Sequence, residues 1–190
     1  MKLISTIYQA QPNMKLLTSP FVCILLCLFS IQSFAGSGGK LNGQYIQYYE
    51  NGQISIKGHY LNGKKNGQWT AYNEDGSVKC EGKYIDNLRD GGWAIYTDEG
   101  IETGNYTAGF KDGEWFSKDD TGNILAHGKF KKGEKSGTWK YFATNGQLVK
   151  KGHFKHDLRT GKWTEYDDFG HISHAEFFHN DYIVKESHDS

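Results

Sequence analysis

The side chains that could bind a metal ion are eight histidines, three cysteines and scattered carboxylates. Imidazole is the commonest protein ligand for transition metals, so histidine spacing decides the question. His59 and His153 occupy equivalent positions of an internal repeat, and a sheet would separate them by roughly 40 Å. His174, His179 and His188 could meet only through an irregular C-terminal segment. We therefore expect no metal site and no cofactor.

Catalytic motifs are absent from the sequence. It contains no strand–Ser–helix nucleophile motif, no H-E-x-x-H pair and no phosphate-binding glycine loop. Cys80 is the only cysteine beyond residue 27, so we expect a small apolar strand residue there and no internal disulfide. We predict a protein that is not an enzyme and has no small-molecule substrate.

The composition favours many short strands joined by glycine turns. The chain has 24 Gly and 2 Pro together with 11 Phe, 12 Tyr and 5 Trp. Frequent glycine disfavours long helices, and abundant aromatic residues disfavour disorder. Lys and Arg number 22, as do Asp and Glu, so the overall charge gives no sign of a nucleic-acid partner.

The first 35 residues have the features of a secretory signal. Lys15 precedes an apolar stretch at Phe21–Ile31, and small residues end at Ala35, where we expect cleavage. Met14 is a second possible start, and an uncleaved anchor is the alternative, although the stretch is short for a membrane span. We expect an exported protein, periplasmic or secreted, in which residues 36–42 form a linker.

The remaining chain is a tandem repeat. Six units begin with glycine and cover residues 43–66, 67–90, 91–112, 113–136, 137–160 and 161–184, with a tail at 185–190. Five units start with Gly-x-Trp, and the first has Tyr45 in place of tryptophan. The tryptophans are Trp69, Trp93, Trp115, Trp139 and Trp163. Such self-similarity is typical of repeat proteins.

Further positions recur within each unit. Three residues after the tryptophan position comes an aromatic residue, which Lys118 replaces in the fourth unit. A second glycine follows, and then a third one with an aromatic residue two positions beyond it. The first aromatic positions are Tyr48, Tyr72, Tyr96, Phe142 and Tyr166, and the third glycines are Gly58, Gly82, Gly104, Gly128 and Gly152.

Each unit is predicted to form one β-hairpin. Asn51-Gly52, Asp75-Gly76 and Asn145-Gly146 are dipeptides that favour a two-residue type I′ turn. Counting outward from such a turn places each tryptophan opposite the third glycine of its own unit, where its indole would cover the bare backbone. The predicted pairs are Trp69 with Gly82, Trp115 with Gly128, and Trp139 with Gly152.

The same count assigns side chains to the two faces of the sheet. One face would carry the tryptophans, a Tyr/Phe row and an aliphatic row: Tyr60, Tyr84, Phe130, Phe154 and Phe178, then Ile54, Val78, Ile124, Leu148 and Ile172. The opposite face would be polar and carry an aromatic stripe, our candidate partner-binding site: Tyr48, Tyr72, Tyr96, Phe142 and Tyr166. A β-bulge would move this stripe to the core side.

The chain ends and the third unit depart from the pattern. The third unit is two residues shorter, which keeps the alternation of faces and predicts a shorter hairpin. The sixth unit has Glu176 where the others have glycine, and atypical end units are expected of a capped array. Acidic residues precede the turns along one edge, and basic residues such as Lys65 and Arg89 fall in the predicted connecting loops along the other.

The motif G-x-W-x-x-Y-x-x-x-G-x-[IVL]-x₃-G-x-[YF] resembles the MORN repeat variant, and within it the bacterial subgroup of YwqK-type antitoxin proteins. The resemblance covers about Gly43 to Val184 and departs at Lys118, Glu176 and the short third unit. It implies an all-β, elongated, single-layer antiparallel meander that mediates protein contacts. It also implies possible phospholipid binding, or a cognate toxin partner.

Three functions follow from these observations. The first is an exported, non-catalytic scaffold that binds a protein partner. The second is a binder of cell-envelope glycan or anionic lipid, and the third is an antitoxin or immunity partner of a toxin. The signal sequence fits poorly with neutralising a toxin in the cytosol.

Overall fold

The computed structural model describes residues 39–187, so the predicted signal sequence at 1–35 and residues 188–190 lie outside the described residues. The strands are β1 (Gly43–Tyr48), β2 (Ile54–Leu61), β3 (Lys64–Lys65), β4 (Gly67–Tyr72), β5 (Val78–Ile85), β6 (Leu88–Thr97), β7 (Gly100–Thr107), β8 (Phe110–Lys118), β9 (Ile124–Lys131), β10 (Glu134–Phe142), β11 (Leu148–Lys155), β12 (Leu158–Tyr166), β13 (Ile172–His179) and β14 (Tyr182–Ser187).

These strands form one open antiparallel sheet in which consecutive strands pair, except that β4 pairs with β2 and not with β3. β3 is a two-residue strand that also pairs with β2. The predicted all-β meander of six hairpins is therefore confirmed. The predicted tail is wrong at residues 185–187, because β14 extends to Ser187 and pairs with the backbone of β13. Nowhere between residues 39 and 187 is there an apolar helix of membrane-spanning length.

The predicted type I′ turns are wrong at their assigned places. In the first hairpin the Gly52 N–H donates to the Tyr49 carbonyl at 3.0 Å, and Gly52 has a positive φ whereas Asn51 does not. This is a three-residue loop with glycine in the left-handed position. The two-residue turns with positive φ at both positions lie at the other edge, between units, as at Asn62-Gly63 and Asp86-Asn87. The third unit alone turns through Asp98-Glu99, which confirms its shorter hairpin.

A β-bulge on the return strand of five hairpins changes the predicted faces. Between the pairs Ala71–Cys80 and Tyr72–Val78, β5 contains Lys79 as an extra residue. The extra residue reverses the alternation near the turn, so the aliphatic row leaves the tryptophan face and the aromatic stripe stays where it was predicted. The aliphatic residues lie opposite the stripe positions: Tyr48–Ile54, Tyr72–Val78, Lys118–Ile124, Phe142–Leu148 and Tyr166–Ile172.

The tryptophan rings cover glycines, but not the predicted ones. The register does pair Trp69 with Gly82, Trp115 with Gly128 and Trp139 with Gly152. Each ring nevertheless lies over the glycine of the preceding hairpin: Trp69 on Gly58, Trp93 on Gly82, Trp115 on Gly104, Trp139 on Gly128 and Trp163 on Gly152. The cause is a hydrogen bond, because each indole N–H donates to the carbonyl of the residue after the covered glycine, at 3.1–3.3 Å.

The glycine of Gly-x-Trp makes this contact possible. Between the pairs Lys83–Asp90 and Gly82–Trp93, β6 contains two extra residues, Gly91 and Gly92. Gly91 has φ +71°, a left-handed conformation that other residues adopt only at a cost. The resulting bulge leaves the carbonyl of Lys83 free to accept the indole N–H of Trp93.

Exposed carboxylates stabilise the three-residue loops. One carboxylate oxygen of Asp119 accepts hydrogen bonds from the Thr121 hydroxyl at 2.7 Å and from the Thr121 and Asn123 amides. These hydrogen bonds, the one from the Thr121 hydroxyl foremost, hold the pKa of the Asp119 carboxyl below its ordinary value. The ionised carboxylate therefore contributes to the stability of this loop.

We predict that Gly82→Ala destabilises the fold and that Gly92→Ala does not. A methyl group at Gly82 would overlap the Trp93 ring, whereas one at Gly92 meets only the Asn105 side chain at 3.8 Å. The expected loss is about 2 kcal/mol or more for Gly82→Ala and less than about 0.5 kcal/mol for Gly92→Ala. Urea unfolding measures both. Equal losses would contradict the ring-on-glycine contact.

We predict that Asp119→Asn flattens the acid dependence of stability. Because the folded-state pKa of Asp119 is depressed, its stabilisation is complete above the ordinary value of 3.8 and is lost as the pH falls through the lower, folded value. The melting temperature of the variant should therefore fall less between about pH 5 and pH 2. Asp120→Asn is the control, and a wild-type pH profile for Asp119→Asn would refute the prediction.

Candidate functional site

The tryptophan face of the sheet, here called the indole face, buries its indole rings among its own side chains. The five tryptophans are only 2–6 % exposed although the sheet has one layer. Tyrosine or phenylalanine rings from the return strands separate successive indoles, mostly edge to face with centroids 5.0–6.3 Å apart. This geometry is the favoured one for aromatic pairs.

Cations close this face from above. Lys65, Arg89, Lys111 and Lys135 each place their charge 4.0–4.6 Å from the centroid of a tryptophan ring. Each also lies 5.0–5.1 Å from a Tyr or Phe ring on the next strand. The sequence prediction that these residues belong to connecting loops is wrong, because they lie on strands and point over the rings. Their cation–π contacts occupy the indole face.

The opposite face, here called the stripe face, leaves its aromatic residues accessible. Tyr48 and Tyr96 are 44 % and 41 % exposed, and the other members of the stripe, Tyr72, Phe142 and Tyr166, are half-buried. The aliphatic partners found by the register add to the same surface, with Ile124 and Ile172 being 37 % and 41 % exposed. The result is a band of aromatic–aliphatic pairs near the turns, interrupted at Lys118.

Polar and charged residues lie beside this band. Thr70, Glu81, Ala94, Thr103 and Phe116 follow one another across neighbouring strands. The small residues of the third unit leave a broad, open depression of about 620 Å³, lined also by Gln68, Asn105 and Glu114. Its shallow shape and mixed lining suit contact with a surface better than enclosure of a substrate.

Charge on the stripe face is unevenly compensated. Glu114 pairs with both His127 and Lys129, the latter at 3.1 Å. Burial opposes ionisation of Glu114, but these two hydrogen-bonded neighbours outweigh it and lower its pKa. On the indole face, Lys150 pairs with Glu165 at 2.7 Å, and the pKa of Glu165 is lowered mainly by that hydrogen bond.

Among residues 39–184, no three His, Cys, Asp or Glu side chains converge to hold a metal ion. His127 instead stacks on Phe116 with centroids 4.5 Å apart. Cys80 lies half-buried on the indole face opposite Ala71 and Ile95. The positions of His127 and Cys80 are thus explained by their packing against other side chains.

Two features of the site were missed by the sequence analysis. Ile101 joins the apolar band by pairing with Tyr96, which the shorter third hairpin makes possible. Lys140 lies directly opposite Lys151. The second feature could have been found by the same outward count that paired Trp139 with Gly152, since the two lysines are the adjacent pair.

Some of the hairpins are similar to a known family of repeats. Three segments match the MORN repeat variant. They are residues 41–62, 65–86 and 135–156, in the first, second and fifth units. The units without a MORN match are the short third one, the fourth with Lys118 and the sixth with Glu176. No curated protein matches the chain. The similarity to the MORN repeat variant thus covers three of the six hairpins.

We predict that Lys135→Ala destabilises the fold by about 1 kcal/mol, because it removes a cation from above Trp139 and Phe154. Lys135→Met keeps most of the stem and tests the charge separately. The control is Lys57→Ala, an exposed lysine on the stripe face. Chemical denaturation provides the free energies. If the control loses as much stability as Lys135→Ala, the cation does not seal the ring.

Proposed function

We propose that this protein is an exported, non-catalytic scaffold that binds a protein partner through its stripe face. The two aromatic rows of this single-layer sheet differ in exposure, and this difference is the main support for the proposal. The tryptophans are 2–6 % exposed, whereas Tyr48 and Tyr96 remain above 40 %. A fold that already buries one aromatic row has no structural need to leave a second one accessible, and tyrosine is enriched in protein interfaces.

The dimensions of the band support a macromolecular partner. It extends from β1 to β13, which corresponds to roughly 55–60 Å at the spacing of neighbouring strands. Exposed apolar side chains that cluster on a protein surface mark interaction sites. The accessible depression beside it is open, so a partner can contact the band and the neighbouring polar residues together.

Export is part of the proposal and is supported by the sequence of the first 35 residues. A basic residue, an apolar stretch and small residues before Gly36 are the requirements of signal recognition and cleavage. A periplasmic or extracellular partner follows. N-terminal sequencing of the protein recovered from an envelope or culture fraction should begin at Gly36, and recovery of an unprocessed chain in the cytosol would refute export.

We predict that a photo-crosslinking residue at Tyr96 captures one discrete protein in the native envelope. The same crosslinker at Phe169 is the control, since Phe169 is 85 % exposed but lies in the sixth turn, outside the band. The double variant Tyr72→Ser/Tyr96→Ser should lose at least tenfold in affinity for the captured protein, measured with purified components, because two anchoring rings are removed.

Phe169→Ser should bind the captured protein as the wild type does. Both variants should keep the wild-type melting temperature within a few degrees, since the band contributes little to the sealed core. Capture from Phe169 as efficient as from Tyr96, or unchanged affinity of the double variant, would contradict a partner site on the stripe face.

A further inference from the structure

Two lysines face each other in the interior of the stripe face. Lys140 of β10 is directly opposite Lys151 of β11 in the register, and both side chains are exposed. Like charges in directly opposite positions destabilise an antiparallel pair. Neither lysine forms an ion pair with a carboxylate of residues 39–184, and the Lys151 ammonium lies 5.3 Å from the centroid of the Tyr166 ring.

Further basic side chains lie around this pair. His127 pairs with Lys140 from the neighbouring strand β9, and Thr164 pairs with Lys151 from β12. The next row contains Lys129, His153 and Lys162, and we call Lys140, Lys151 and these basic neighbours the lysine patch. The nearest carboxylate on this face, Glu114, is already paired with His127 and Lys129. Glu165 lies on the indole face, where it binds Lys150.

The repeat itself does not require this charge. At the corresponding positions of the first and second hairpins the row contains Lys57, Thr70 and Glu81, and in the third it contains Ala94 and Thr103. Hairpins with a neutral or mixed row thus form the same register. The lysine patch is therefore a local property of the fifth and sixth hairpins and their neighbour β9.

The lysine patch adjoins the apolar band. Phe142, two residues after Lys140, pairs with Leu148, which lies three residues before Lys151 across the bulge. Two residues of a strand span about 7 Å. A partner segment lying across the strands could therefore place carboxylates over the lysines and apolar side chains over Phe142 and Tyr166.

We propose that the lysine patch receives an acidic segment of the partner protein, one that carries carboxylates along one side and apolar side chains along the other. This inference rests on the proposed function and names the chemistry of the partner. Carboxylates over Lys140 and Lys151 relieve their mutual repulsion, so the electrostatic cost present in the free protein is recovered on binding. The apolar side of the segment covers the adjoining part of the band.

The test uses the full chain and a fluorescein-labelled twelve-residue peptide that alternates Glu with Phe. Fluorescence anisotropy at low salt should show binding that weakens as salt rises. Lys140→Glu/Lys151→Glu should weaken it at least tenfold. The matched control, Lys57→Glu/Lys83→Glu, makes the same charge change on the same face and should change it less than twofold. A peptide with Lys in place of Glu should not bind.

Folding is checked with Lys140→Gln/Lys151→Gln. This variant removes the repulsion, so its melting temperature should equal or exceed that of the wild type while peptide binding falls. Absence of wild-type binding, or equal losses in the lysine-patch variant and its control, would overturn the inference. Cosedimentation with vesicles of phosphatidylcholine and phosphatidylglycerol that depends on Lys140 and Lys151, without peptide binding, would also overturn it and assign the patch to lipid.

Different experimental results would refute the acidic-segment inference and the proposed function. If the protein captured from Tyr96 still binds the Lys140→Glu/Lys151→Glu variant with wild-type affinity, the acidic segment is wrong and the stripe face remains the partner site. If that protein is lost in the lysine-patch variant and retained in the Lys57→Glu/Lys83→Glu control, the inference is supported.

Discussion

An indole ring resting on a bare glycine, with its N–H bonded to the next carbonyl, is the contact on which the whole sheet depends. It explains why the motif contains two special glycines. The first, in Gly-x-Trp, adopts the left-handed conformation that turns the tryptophan toward the preceding strand. The third has no side chain because the ring occupies that space. A single-layer sheet thereby obtains a buried aromatic core without a second layer.

The direction of this contact explains the two ends of the array. Among residues 39–187 no hairpin precedes the first unit, where Tyr45 occupies the tryptophan position and packs against Tyr60 and Trp69. Within the same part of the chain no tryptophan packs on the sixth unit, where Glu176 lies opposite Trp163. Both exceptions follow from one rule. They also show why the stripe face is free to vary, since none of its side chains takes part in the ring-on-glycine contact.

Much of this fold could be predicted from the sequence, because spacing within one chain determines the register. The pairs between tryptophan and glycine were correct even though the turn was wrong, since the three-residue loop and the bulge beyond it together preserve the count. The faces of Ile54 and Val78 were wrong because no residue type marks a bulge. The direction in which each indole points depends on the side-chain torsion angles and on a carbonyl that a second bulge leaves free. The alternation of side chains along a strand predicts neither. The aromatic stripe was found from the sequence, whereas Lys140 and Lys151 were overlooked as ordinary surface charge.

Because every indole packs on the preceding hairpin, the array has a direction from its N-terminal to its C-terminal unit. The third glycine of each hairpin is covered only when the tryptophan of the next hairpin packs on it. Each hairpin therefore completes the aromatic core of the hairpin before it. Such an array could gain or lose units without a change in the contact between a tryptophan and the glycine of the preceding hairpin.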